Sequence, residues 1–159
     1  MHNQECYDKN GNFLGWFSRS VAVVCAIMRT NDNGEIEIVA GKRGKGCPDE
    51  VGKWNLICGY CEFNETLKES ASRESKEECG LSIPSNAWRI HSVNSNPKDD
   101  KRQNITFRMV TEYKPEYGTF STANSELDEV DDVRWIPINE IDKYEWAFEH
   151  EKLIKRIVQ

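Results

Sequence analysis

Three carboxylates, Glu74, Glu77 and Glu78, stand at positions i, i+3 and i+4 of a stretch, Thr66 to Cys79, that contains no glycine or proline. At about 3.6 residues per turn they share one helix face within roughly a 100° arc. Like charges so close on a helix cost roughly a few tenths of a kcal/mol each, so something should offset their repulsion. A hard divalent cation such as Mg2+ takes oxygen ligands and would do so. The plain alternative is a solvated acidic face. Arg73, one turn before Glu77, is placed to relieve part of the strain.

These residues need a helix and something to hold it. Asn64 is the expected N-cap and Gly80 the C-terminal stop. "VAVVCAIM" (21–28) is a continuous, β-branched apolar run that reads as a buried strand. "NDNG" (31–34) is a turn signal, and the alternating "EIEIVAGKR" (35–43) completes a hairpin. A loop, "GKGCPDEVG" (44–52), leads to the short apolar stretch "KWNLICG". After the acidic segment come three more strand candidates, "AWRIHSV" (87–93), "ITFRMVTEY" (105–113) and "VDDVRWIP" (130–137). "WAFEHEKLIKRIV" suits a closing amphipathic helix with Trp146, Phe148, Leu153, Ile154 and Ile157 on its apolar side. Strands outnumber helices, which predicts a mixed sheet covered by helices, an α/β (α+β) sandwich.

The 159 residues are read as one domain with a real core. Lys and Arg number 21 against 27 Asp and Glu, a net charge of −6 that argues against a nonspecific nucleic-acid binder. No apolar run approaches the roughly 20 residues of a membrane span, and no secretory signal opens the chain. Free thiols and a cytoplasmic location are therefore expected for the six cysteines.

From Gly59 to Leu81 the spacing is Gly59, five residues, Glu65, seven residues, Arg73-Glu74, two residues, Glu77-Glu78, one residue, Gly80-Leu81. This resembles the Nudix box, G-x5-E-x7-R-E-U-x-E-E-x-G-U with U apolar, at every specified position but Ser75. "GKWNLICG" resembles the family's G-x-W-x-x-P-G-G lead-in, with Ile57 for Pro and Cys58 for the first Gly. "VDDVRWIPINEI" is similar to its late strand and short helix. The resemblance implies a single Nudix domain over 1–159, with the box at 59–81, folded as an α/β/α sandwich around a mixed β-sheet. It implies hydrolysis of a nucleoside diphosphate linked to another group X. Glu74, Glu77 and Glu78 would be catalytic and, with the backbone carbonyl of Cys58, would bind Mg2+ or Mn2+. Glu74 would be a ligand or the general base; Glu126, Glu129 and Asp132 are alternative bases in a later loop. Glu65 and Arg73 would form a structural ion pair. Ser75 leaves a small hydroxyl where an apolar residue should pack; either a neighbour fills the gap or the serine bonds back to the Ala71 carbonyl.

The segment "NPKDDKRQNITF" (96–107) is similar to P-x2-R-D-x-R segments of the ADP-ribose pyrophosphatase branch in carrying Pro97, Asp100 and Arg102, the last two one residue nearer the proline than in that pattern. Arg19 and Arg43 are further substrate-binding candidates. ADP-ribose or a nucleotide sugar is the first expected substrate, a nucleoside triphosphate the second, and a non-catalytic ADP-ribose sensor the third reading. The partner expected is thus a small nucleotide, with neither nucleic acid nor membrane; homodimers, frequent among relatives, are an open expectation. "GKRGKGC" lacks the lysine of a phosphate loop, since Cys47 stands in its place, although Arg43 or Lys45 could touch phosphate. Cys58-x2-Cys61 is at most half a zinc or redox site. His91 reads as structural, and Trp16, Phe17 and Tyr60 as core aromatics or a base-stacking platform.

Overall fold

The computed structural model describes residues 3–99, 101–123 and 128–159. Its centre is strand β3 (Val21–Thr30), which runs through the middle of a seven-stranded mixed sheet. Val23, Cys25 and Ile27 point to one side and Val24 and Ala26 to the other, and both sides are buried. This is why the strand is a continuous apolar run and not an alternating one. On one edge it pairs in parallel with β8 (Ile105–Glu112), which carries β7 (Arg89–Asn94) outside it.

On its other edge β3 has two partners. Its C-terminal end pairs with β4 (Ile36–Arg43), with Met28 opposite Ile38. Its N-terminal half pairs with β6 (Ile57–Tyr60), with Val23 opposite Gly59. Strands β3 and β4 therefore part in a fork. It is filled by β5 (Trp54–Asn55), which pairs with β4, and by β6. Strand β9 (Val130–Pro137) closes the outer edge of β4.

Helix α1 (Leu67–Cys79) covers one face through Ala71 and Cys79, which join Val23, Cys25, Ile57 and Trp88 in one core. Helix α2 (His150–Ile157) covers the other through Leu153 and Ile154, packed with Val24, Ala26, Leu56 and Trp54. The result is the α/β/α sandwich with a mixed sheet. Apart from it stands a hairpin, β1 (Gln4–Tyr7) and β2 (Phe13–Phe17), which forms its own two-stranded sheet. Among the described residues no helix is long and apolar enough to cross a membrane.

Four expectations change. Asn64 is not the cap: it lies at φ +68°, and Thr66 caps α1 in a closed capping box. The Thr66 hydroxyl accepts the Glu69 N–H (3.3 Å) while the Glu69 carboxylate accepts the Thr66 N–H (2.8 Å). Two reciprocal bonds outcompete a single Asn cap. The closing helix begins only at His150, because Phe148 and Glu149 adopt left-handed backbone (φ +56° and +55°). Trp146 instead donates its indole N–H to the Ile141 carbonyl at 2.8 Å. Finally, Trp16 and Phe17 are not core residues, being about 60% exposed on β2. Tyr60 is likewise exposed, at the end of β6, whereas His91 lies on β7 in keeping with its strand pattern.

Candidate active site

The fork brings the lead-in segment under helix α1. Gly59 of β6 carries no side chain, and the Glu74 carboxylate lies in the space one would fill: a Cβ there would sit 2.0 Å from Glu74 Oε1. One residue earlier, the Cys58 N–H donates to Glu78 Oε2 at 3.1 Å. Both carboxylates are thus drawn inward, against backbone. Burial raises the Glu74 carboxyl to about 7, although neighbouring Arg73 works in the opposite direction. Burial also pushes the Glu78 carboxyl well up, with the Glu74 charge adding to the effect.

Arg73 organises the outer side of this cluster. Its Nε and Nη2 hold Glu65 in a fork at 3.0 and 2.8 Å. Its Nη1 reaches Glu74 (2.8 Å) and Glu77 (3.0 Å), and Nη2 also donates to the Tyr60 carbonyl at 2.9 Å. Arg73 holds the Glu65 carboxyl down to about 2, with the Glu62 N–H assisting. The guanidinium fork suits this task because its five donors are fixed in one plane. Ser75 is fully buried and donates to the Ala71 carbonyl at 2.7 Å, so the helix itself satisfies the hydroxyl.

The donor set is all oxygen, and the raised proton affinity of Glu74 and Glu78 marks two carboxyls whose charge an added cation would stabilise, which fits a hard divalent ion. As they stand, Glu74 and Glu77 turn to Arg73 and Glu78 to the Cys58 N–H. Among the described residues no three His, Cys, Asp or Glu side chains converge as a metal-holding group. The Cys58 thiol is turned to the α2 face, where it accepts from Asn55 Nδ2 (3.3 Å), and burial raises its pKa. Cys61 packs on the α1 face, so the two thiols of C-x2-C do not make one site. All six cysteines are free.

The substrate-side candidates fall into two loops beside the fork. Arg43 ends β4 and donates Nε and Nη2 to the Asp49 carbonyl, both at 3.1 Å, and Nη2 to Asp49 Oδ1 at 3.1 Å. Its guanidinium also lies 4.8 Å from the centre of the Phe148 ring. Arg102 Nη2 bonds the other oxygen of Asp49, at 2.5 Å. Arg19 clamps the same loop from below, donating to the carbonyls of Gln103 (2.5 Å) and Asn104 (3.1 Å). Pro97 lies exposed in that loop, and Asp100 lies outside the described residues.

Of the alternative bases, Glu126 also lies outside the described residues. Glu129 is half-buried, and its charge adds to the upward push on the Glu78 carboxyl. Its backbone carbonyl accepts the Gly44 N–H at 2.8 Å. Asp132 is held by Arg134 at 2.6 Å on β9. The reading of the sequence missed Asp49: nothing in "GKGCPDEVG" separates it from ordinary loop polarity, since its partners come from distant segments.

A carboxylate-bearing helix laid over a forked mixed sheet is the architecture of the Nudix class. The model of the NUDIX domain matches residues 19–157, and the chain belongs to that family. Among solved structures it is similar to the NUDIX domain of Shewanella oneidensis NrtR complexed with ADP ribose (TM-score 0.74, 19% identity, 95% of this chain and 91% of that one). A second is the bifunctional NMN adenylyltransferase/ADP ribose pyrophosphatase of Francisella tularensis complexed with AMP and Mn ion (TM-score 0.70, 20% identity). It is matched over 89% of this chain but only 41% of its own length. A third is a mutT/nudix family protein from Listeria innocua (TM-score 0.67, 24% identity, 89% and 94% coverage). No curated protein matches the chain.

Proposed function

We propose that the chain hydrolyses the pyrophosphate bond of a nucleoside diphosphate linked to X, with ADP-ribose or a nucleotide sugar as substrate and Mg2+ or Mn2+ as cofactor. The observation that carries this is the pair Glu74, buried, and Glu78, half-buried, packed against the backbone of Gly59 and Cys58 with raised proton affinities that a cation would offset. The ADP ribose and the AMP with Mn ion in two related structures support the substrate class and the cofactor.

In this reading Glu74, Glu77, Glu78 and the Cys58 carbonyl hold the metal, which when bound supplies neutralising charge for the pyrophosphate and an acidified water. Glu65 and Arg73 position Glu74 and Glu77 by fixing the loop on the helix. Glu74 or Glu129 takes the proton of the attacking water. Arg43 and Arg102 bind phosphate, charge against charge, on the loop side. Nucleic acid has no part in the proposal because of the net charge of −6, although a related NrtR structure carries a 27mer DNA. A cytoplasmic location belongs to the same reading.

The expected assembly is a homodimer through the β1–β2 hairpin, whose Tyr7, Phe13, Leu14, Trp16 and Phe17 are all more than half exposed. Such a hairpin is marginal in water unless it is covered. Sedimentation velocity of the wild type and a Trp16→Lys variant tests it; a wild-type monomer removes it.

Formation of the nucleoside monophosphate and of its phosphorylated co-product is to be measured with Mg2+ from ADP-ribose, NADH, dinucleoside polyphosphates and nucleoside triphosphates, beside Glu77→Gln and Glu78→Gln. One substrate is expected to turn over, with a loss of about 100-fold or more in each variant. Turnover of triphosphates alone would move the assignment to nucleotide-pool cleaning. ADP-ribose binding without turnover would make the protein a sensor.

A further inference from the structure

His150 carries a donor with nothing to donate to. Its imidazole is 5% exposed, and Nδ1 accepts the Leu56 N–H at 3.0 Å. A nitrogen that accepts an N–H bears no proton, so the neutral ring carries its proton on Nε2. Among the described residues nothing accepts from Nε2, yet it is not sealed from solvent as Ser92 Oγ and Glu151 Oε2 are. The Phe148 ring stands edge-on beside the imidazole at 5.6 Å.

A second unpaired group shares this face. Cys58 of β6, Val24 of β3 and Arg108 of β8 form one row across the sheet. Val24 and Val110 pack toward α2, so Arg108, two residues before Val110, stands on that face too. Two strand spacings put its backbone about 10 Å from that of Cys58. Arg108 is half-buried and makes no hydrogen bond or ion pair among the described residues. The charges that act on it are Arg156 of α2, which repels it, and Asp99, whose Oδ1 already accepts Asn96 Nδ2 at 2.7 Å. Those that act on the imidazole, Arg43 and Arg108, are both cationic.

We propose that His150 Nε2–H and Arg108 form an anion subsite on the α2 face, which receives an oxyanion carried by X, apart from the pyrophosphate to be cut. The proposal rests on the pyrophosphatase reading above for the molecule that brings this group. The sheet separates the two positions, since Glu74 and Glu78 meet the β6 backbone from helix α1 on the other face. An oxyanion accepts from a neutral N–H and a guanidinium at once, whereas a neutral sugar leaves the arginine charge unanswered. Within the nucleotide-sugar reading the subsite therefore selects a sugar that bears a phosphate or a carboxylate.

The test is calorimetric titration of inorganic phosphate, in metal-free buffer, into the wild type, Arg108→Gln, His150→Asn and His150→Gln, with melting temperatures as a fold control. Asn sets its carbonyl oxygen near the place of Nδ1 and keeps the Leu56 bond, whereas Gln sets its amide N–H near the place of Nε2. The phosphate Kd should rise about 3- to 10-fold in Arg108→Gln and in His150→Asn. His150→Gln should melt earlier yet hold phosphate as the wild type does. A wild type that binds no phosphate overturns the subsite, as does an unchanged Kd in a folded Arg108→Gln. Loss of binding in His150→Gln alone also overturns it, because the histidine is then only a brace for Leu56. With a substrate that is hydrolysed, phosphate should raise KM less in Arg108→Gln than in the wild type; a fall in kcat at constant KM would overturn the assignment to X. If a substrate is hydrolysed while the Kd values do not move, the subsite alone fails. If they move as expected and nothing is hydrolysed, the subsite stands and the pyrophosphatase reading fails.

Discussion

Gly59 and Glu74 form a lock in which one residue lacks a side chain so that the other can lie flat against the strand. Gly59 keeps ordinary strand backbone, so Gly59→Ala meets no torsional obstacle, only the Glu74 carboxylate 2.0 Å away. That carboxylate ends a flexible side chain and will be the part that moves. The expected outcome is a melting temperature lowered by no more than a few degrees, with hydrolysis down about 10-fold or more, read by thermal melts and kcat on the same preparation. Ser75 shows the converse, a motif departure absorbed locally through its bond to the Ala71 carbonyl. Glu74 is legible in the sequence from helix spacing, whereas Gly59 is legible only through the resemblance to the Nudix box. The ion pairs of Asp49 are legible in neither way, because they form only after two distant loops have met.

Helix α1 is delimited at both ends by local chemistry, which is why its position could be read and its cap nearly so. Thr66 and Glu69 satisfy the first turn reciprocally, and Gly80 ends it at φ +80°, its N–H returning to the Lys76 carbonyl. Thr66→Ala should cost about 1 kcal/mol of unfolding free energy, measured by urea titration, because one orphan N–H loses its acceptor. The Thr-x-x-Glu pattern was present in the sequence; Asn64, three residues before the first helical one, was simply a competing signal. Strand β9 was legible to the residue because turn chemistry and β-branched content agree there. The start of α2 was not, since apolar periodicity cannot foresee two successive left-handed residues, Phe148 and Glu149. The hairpin of β1 and β2 escaped for a related reason: neither "QECY" nor "FLGWF" alternates polar and apolar residues, and the hairpin has no core to face.

The buried His150 joins the α2 face to the fork, its Nδ1 accepting the Leu56 N–H at 3.0 Å. Burial, with Arg43 and Arg108 adding to it, lowers the imidazole pKa to about 3 from its ordinary 6.5. Between those values the unfolded chain binds a proton that the folded protein refuses, so stability falls as pH drops from about 6.5 toward 3. Glu65 adds to the loss at the acid end: its carboxyl, held at about 2, contributes fully above the ordinary 4.5 and less as pH falls below it. Glu74 and Glu78 work the other way, because a carboxyl whose proton affinity folding raises adds stability as pH falls. The His150 share is therefore read as a difference: urea midpoints of the wild type should lose ground to those of His150→Asn as pH falls from 6.5 to 4.5. The parallel pairing of β3 with β8 carries a different consequence. Val21 faces Ile105, and β4, the fork and α1 all lie in the chain between them. Helix α1 can coil early on its own caps, yet its carboxylates meet the β6 backbone only within a sheet that this long closure completes. Such non-local pairing makes refolding slow, on the order of milliseconds to seconds. Recovery of activity should therefore lag behind recovery of helical signal after dilution from denaturant.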